Sequence, residues 1–360
     1  PNVDGPATQL GIQKELHIHF RLRRQFSSLR LAKECVMGTS VIDSNNFVLS
    51  LLVTVFIQLA FYVGAVITRS ENLYDFAGGL NYIVVFVLTL GLANDVSNTR
   101  GIVLTIMTSL SRAYLAGFLL FRVLTRKGDA RFEEARENPL KFLVFWVFQM
   151  AWVFLISSPV IYVNGSGADP ELGASDYIGF ILVGVGTLFE VAADVQKFFF
   201  RKDPSNRGKV CNVGVWAISR HPNYFGEVLI WWGAFTVAVL PIQDREDYWA
   251  LWVVLSPLFT MFLLLFVSGI PMAEGQNLKR FMKTEESKER FMEYFNSVPP
   301  LVPCFPSIYG ILPGWSKCLF CCEFPMYAFD EQEQALRDAE KGQKDRKEIS
   351  SAGPEDNAAA

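Results

Sequence analysis

Four ionisable side chains stand in one apolar stretch, "GTLFEVAADVQKFFFRKD": Glu190, Asp194, Lys197 and Arg201, separated by 4, 3 and 4 residues. At about 100° per residue of helix they share a sector roughly 60° wide, with the acids at one end and the bases at the other. A little further on, "SRHPNYFGE" gathers Arg220, His221, Asn223, Tyr224 and Glu227 around Pro222 and Gly226. Pro222 suits the first turn of a helix, because the N–H it lacks has no helical partner there, and Ser219 stands where a cap would. Helix N-termini attract anions, and Arg220, His221 and the bases of the preceding loop would add to that pull. Asn223 and Glu227 are helical neighbours, and Gly226 lets a ligand or another backbone come close. Upstream, Arg112 lies in the middle of "TIMTSLSRAYLAGFLLF". Together these residue types could hold a polar, phosphate-bearing molecule in a cavity open to the cytoplasm.

Each feature also has a plainer reading. Ion pairs along one helix face, with long bases snorkelling to water, account for Lys197 and Arg201. They account poorly for Glu190, which is deepest and repelled by Asp194. Arg112 needs a carboxylate such as Glu190 or Glu227, or a ligand's phosphate; both remain open. The "SRHPNYFGE" segment read alone is a helix cap with a surface histidine.

The elements that must position these groups are membrane spans. The chain has 360 residues, 51% of them hydrophobic, with 31 phenylalanines and 8 tryptophans. Seven apolar segments are long enough to cross a bilayer: 46–68, 78–95, 101–122, 140–162, 177–200, 224–242 and 248–269. None alternates with the period of a barrel strand, so the expected fold is all-α and polytopic. The domain reading is an extramembrane or interfacial segment over 1–45, the seven-helix unit over 46–306, a cysteine-containing juxtamembrane segment over 307–328 and a charged, disordered tail over 329–360.

The loops 122–141 and 197–222 are rich in Lys and Arg, whereas 163–176 has none but carries Asp169, Glu171 and Asp176. The positive-inside rule therefore places the basic loops and the C-terminus in the cytoplasm. "NGS" at Asn164 then reads as a glycosylation sequon on the far side. The basic "HFRLRR" near residue 20 conflicts with the outward N-terminus this implies, unless it lies flat on a membrane surface. The chain opens on Pro1, which reads as a trimmed start. A formal charge of −3 gives no reason to expect nucleic acid. The "CLFCC" cysteines lack a second pair or a nearby histidine, so no metal is expected, and idle or acylated thiols suit them better.

Residues 190–233, from "EVAADVQKFFF" to "RHPNYFGEVLIWWG", resemble the C-terminal signature of membrane reductases related to steroid 5-alpha-reductase, in the branch carrying "RHPNYFGE" followed by "WWG". "NLYDFAGGLNYI" at 72–83, "RKGDARF" at 126–132 and "FWVFQMAWVF" at 145–154 are similar to that branch too, so the resemblance covers roughly 72–306. It implies a seven-helix reductase in the endoplasmic reticulum membrane. Such an enzyme binds NADPH from the cytoplasmic side and saturates a double bond conjugated to a carbonyl in a lipid or steroid-like substrate. By the same resemblance, Arg112, Glu190, Asp194, Arg201, Asn223 and Gly226 hold cofactor and Glu227 is catalytic; Lys197, Arg220, His221 and Tyr224, from the same two stretches, are expected beside them at the cofactor. Two departures stand out. Ser109 occupies the place of the tyrosine that polarises the steroid carbonyl, and Glu274 and Lys279 occupy the region of a late cofactor-binding arginine and histidine. Hydride transfer still needs an acid to activate the electrophile, and Tyr82 is the candidate.

Isoprenylcysteine carboxyl methyltransferases are distantly similar in the "RHPxYxG" region, which makes S-adenosylmethionine-dependent methyl transfer the alternative. A methyl donor without phosphates would not need the basic loop 197–209. A lipid-binding relative without catalysis is a third reading, which the missing tyrosine keeps open.

Overall fold

The computed structural model describes residues 45–93, 98–125, 132, 138–167 and 170–327. "HFRLRR", Cys35, Lys127, Arg131, Arg136, Asp169 and the tail over 329–360 lie outside the described residues, as does most of the "RKGDARF" stretch. Among the described residues the chain is entirely helical.

Six helices follow the apolar runs: α1 Phe47–Thr68, α2 Tyr74–Gly91, α3 Thr99–Thr125, α4 Pro139–Gly165, α5 Ala174–Lys202 and α6 Pro222–Asp244. The seventh apolar element, Tyr248–Phe281, is composite. A 3₁₀ turn over Tyr248–Val254 leads into α7 (Leu255–Phe262), a π turn over Leu263–Val267 follows, and after a break at Gly269 comes α8, Ile270–Phe281. The predicted end at 269 marks that break, beyond which α8 is amphipathic. All seven elements are long and apolar enough to span a bilayer, the architecture of a multi-pass membrane protein. Their outer faces carry large apolar side chains such as Phe56, 74% exposed, and Ile67, 76% exposed, as lipid-facing positions would. Short helices complete the description: α9 Glu285–Ser297, α10 Pro306–Ile311 and α11 Gly314–Cys321.

The tightest contact is between the antiparallel helices α5 and α6, and four glycines explain it. A Cβ added at Gly226 would stand 2.5 Å from the Gly186 carbonyl oxygen and 2.9 Å from the Glu190 nitrogen. One at Gly233 would stand 2.6 Å from the Gly179 carbonyl oxygen. Only bare backbones pack this closely, as in other membrane helix pairs. This register sets Glu190 beside the first turns of α6. Gly226 therefore serves helix packing, and the cofactor contact expected of it gives way to the backbone of α5.

Two further expectations change. Asn164 is no glycosylation site. It is 4% exposed at the end of α4, and its amide donates to the Phe86 carbonyl at 3.2 Å and to Thr89 and Thr105 Oγ1, each at 3.0 Å. An amide with three internal acceptors is not available to an enzyme at the surface. Asp176, read as part of an acidic surface loop, is also buried: Arg100 grips it through Nε at 2.6 Å and Nη2 at 2.9 Å.

Candidate functional site

The candidate residues fall into two compartments stacked along α5. The deeper one is a closed charge cluster formed by three helices. Arg112 of α3 reaches Glu190 of α5 at 3.1 Å and both carboxylate oxygens of Glu227 of α6, at 2.8 and 2.9 Å. Arg112 and Glu190 are buried, and Glu227 is nearly so. Trp231, one turn beyond Glu227, donates its indole N–H to Glu227 Oε1 at 2.7 Å and offers its ring face to the guanidinium, 5.3 Å away. Charges of both signs in lipid are tolerable only when each has such partners. The partners offered for Arg112 from sequence, Glu190 or Glu227, are both taken.

Around this cluster several polar groups are buried without a hydrogen-bond partner: Arg112 Nε, Ser109 Oγ, and the hydroxyls of Tyr114 and Tyr82. Tyr82 is 6% exposed, and its ring packs on Trp231 with centroids 5.6 Å apart. Its hydroxyl finds no acceptor, and the neighbour that reaches it, Trp152, is itself a donor. A hydroxyl hydrogen left over in a buried site is free to polarise a ligand's oxygen. Tyr114 lies near Asp194 and Glu190.

The second compartment is the basic mouth at the C-terminal end of α5. Lys197, Arg201, Lys209, Arg220 and Arg280 surround a crevice of about 20 Å³ in which Glu274 is the acid among the lining side chains. Lys197 rests over the Trp216 ring, 3.9 Å from its centroid. Lys197 and Arg201 also line a groove of about 270 Å³ shared with α3, where Asp194, Arg122 and Thr125 join them. On the other side, Lys209 and Tyr294 open onto a groove of about 640 Å³ bounded by α9. The crevice holds roughly one water, whereas the grooves are wide, so together they make a basic trough at this end of the bundle.

Between the compartments lies the "SRHPNYFGE" turn. His221 itself occupies the capping position of α6, ahead of Pro222. Ser219 stands two residues ahead of that position: its hydroxyl donates to the Leu301 carbonyl at 2.7 Å and accepts the His221 N–H at 3.2 Å, so it braces the turn and is not the helix cap expected of it. His221 is buried, not a surface histidine: Nε2 lies 3.0 Å from Glu274 Oε1 and the ring stacks on Tyr224 at 5.2 Å. Burial lowers its pKa, outweighing the Glu274 carboxylate, so the imidazole stays neutral at neutral pH. Arg220 contacts Glu274 at 3.4 Å and Glu323 at 3.4 Å and lies over the Phe295 ring at 3.7 Å. Burial raises the Glu323 pKa despite Arg220. Asn223 is half-buried in the first turn of α6.

The structure thus joins Arg112, Glu190 and Glu227 with Tyr82 beside them, and joins Lys197, Arg201 and Arg220 separately, with Asp194 on the adjoining groove. Sequence reasoning missed Trp231, although it stands four residues after Glu227 on the same face. It also missed Arg122, Arg280 and the pairing of Glu274 with the Arg220–His221 step, for which no local signal exists.

An all-helical bundle with an arginine–glutamate cluster among its seven long apolar elements and a basic mouth at one end defines a polytopic membrane protein with a polar site. Residues 60–298 match the model of DUF1295, described as "Protein of unknown function (DUF1295)". The chain belongs to that family, one of steroid 5-alpha-reductase-like proteins. Among curated proteins it is 38% identical over 61 residues to a "Probable O-methyltransferase ustE" of Ustilaginoidea virens, a stretch covering 16% of this chain and 22% of that protein. No solved structure matches.

Proposed function

We propose that the protein is a membrane-embedded, NADPH-dependent reductase of a carbon–carbon double bond in a lipid or steroid-like molecule. The observation that carries this reading is the mouth: Lys197, Arg201, Lys209 and Arg280 converge on a crevice whose acid, Glu274, is already held by Arg220, and phosphates would balance such an excess of bases. Lys197, Arg201, Lys209 and Arg280 would hold phosphates, Asp194 and Asn223 would meet ribose or amide groups, and Arg220 and His221 would keep the wall in place through Glu274. A bound nicotinamide would supply a hydride to one carbon of the double bond, and the other carbon would take its proton from water. The Tyr82 hydroxyl donates a hydrogen bond to the substrate's carbonyl oxygen, while Glu227 and Glu190 orient Arg112 behind it. By the asymmetry of its basic loops, the mouth faces the cytoplasm, in keeping with a place in the endoplasmic reticulum membrane.

The relative's name favours a second reading, S-adenosylmethionine-dependent methyl transfer. That donor has no phosphate and carries a sulfonium cation, which the bases would repel. Detergent-purified protein analysed by mass spectrometry for bound nucleotide separates the readings. A dinucleotide supports reduction, a methyl donor supports transfer, and neither, with no binding of either on addition, leaves a lipid-binding protein without catalysis.

A further inference from the structure

The segment after α9 lies beyond residues 60–298 that match the family, and nothing in the proposed reaction uses it. The stretch from 305 to 322, "FPSIYGILPGWSKCLFCC", contains a single charged side chain, Lys317. That ammonium lies over the Tyr309 ring, 4.3 Å from its centroid. Tyr309, Ser316 and Cys321 are buried and form the inner face of α10 and α11. The outer face is apolar and bare: Phe305 is 64% exposed, Ile308 50%, Ile311 81%, Trp315 68%, Leu319 67% and Phe320 61%.

Both ends of this hairpin are pinned to the cytoplasmic rim of the bundle. At its start, Cys304 N–H donates to the Ile218 carbonyl at 2.9 Å and Arg220 N–H donates to the Pro299 carbonyl at 2.8 Å, which fixes it beside the first turn of α6. At its end, the Tyr327 hydroxyl donates to the Leu265 carbonyl at 2.6 Å, and Phe324 packs on Phe266 with centroids 5.0 Å apart. Leu265, Tyr224 and Phe225 belong to one apolar cluster, so the two anchors stand at the same height. Phe266 is itself 40% exposed and Phe262 53%, on the lipid-facing side of the seventh element. The bare face of the hairpin therefore continues the surface that already faces lipid. With 6 and 8 residues, α10 and α11 are far too short to cross.

We infer that the hairpin 305–327 is an interfacial membrane anchor, lying flat in the cytoplasmic leaflet with Phe305, Ile308, Ile311, Trp315, Leu319 and Phe320 sunk into the boundary between headgroups and acyl chains. Exposed aromatic and aliphatic residues rimmed by a snorkelling base are what that boundary selects. Through the Arg220–Glu323 contact the anchor also braces the rim of the basic mouth. The inference stands whether the protein reduces, methylates or only binds.

Tryptophan quenching in nanodiscs tests it with the full chain. The emission difference between wild type and Trp315→Phe isolates Trp315. Lipids brominated near the glycerol end of the chains should dim this component about twofold, chain-end bromines should dim it less, and acrylamide in the water should hardly touch it. Trp315→Phe with Leu319→Trp moves the reporter one turn and should give the same order. Quenching by acrylamide but not by bromine would place the hairpin in water and overturn the inference. Resistance to both quenchers would mean that another protein surface or a second copy covers the face, which overturns it equally.

Discussion

The deep cluster and the basic mouth lie on one helix, α5, yet they treat charge in opposite ways. In the cluster, Arg112 is matched by Glu190 and Glu227, and Trp231 fills a remaining site on Glu227. In the mouth, Lys197, Arg201, Lys209, Arg220 and Arg280 face Glu274. The first arrangement matches its charges without a ligand, while Arg112 Nε and the Tyr82 hydroxyl beside it keep hydrogen-bonding capacity in reserve. The second gathers more bases than acids along the lining of a partly buried crevice, which is the arrangement an anionic partner would suit. Variants that separate these roles give the comparison its tests.

The largest effect is expected at Arg112. Arg112→Met leaves two carboxylates facing each other in a buried site, and should lower stability in detergent by about 3–5 kcal/mol. Glu190→Gln leaves one arginine with one carboxylate, so its unfolding temperature should stay near wild type. Equal losses in the two variants would show that the cluster is not the closed unit described. Next is the helix contact: Gly226→Val must push α5 and α6 apart and should destabilise by about 1–3 kcal/mol in the same thermal assay. In the mouth, Arg201→Ala should weaken NADPH binding about tenfold in calorimetry while barely moving the melting temperature. Asn223→Ala should weaken it less, since an amide contributes uncharged hydrogen bonds.

A smaller effect follows from His221. Glu274, Arg220 and Lys197 face it, and burial holds its pKa below the ordinary histidine value. Its contribution to stability is therefore full above about pH 6.5 and is lost as the pH falls through the folded-state value, because unfolding then takes up a proton. Melting temperature against pH should fall more gently on the acid side in His221→Asn than in wild type. Parallel curves would show that the imidazole does not titrate with unfolding.

Much of this was legible in the sequence, and the gaps have physical causes. The spans were readable because lipid demands long apolar runs, and the composite end of the seventh was not, since α8 is an amphipathic helix beyond Gly269. The face shared by Glu190, Asp194, Lys197 and Arg201 was readable from helical spacing, as were both acids that hold Arg112. Gly226 was misread because glycine marks a close approach without saying what approaches; its seven-residue spacing from Gly233, mirrored by Gly179 and Gly186, carried the answer. The Glu274–His221 contact and the use of Ser219 by Leu301 join residues far apart in the chain, where only the folded bundle reveals them. Asn164 shows that a sequon says nothing about burial.

The central claim is that the positive mouth is a dinucleotide phosphate site, and calorimetric titration of NADPH into the purified protein and into its Lys197→Ala/Arg201→Ala variant addresses it directly. The account predicts saturable binding to wild type that weakens with added salt and disappears in the double variant, with the melting temperature retained. Binding of the same strength to both proteins, or binding of S-adenosylmethionine and not of NADPH to wild type, would contradict it.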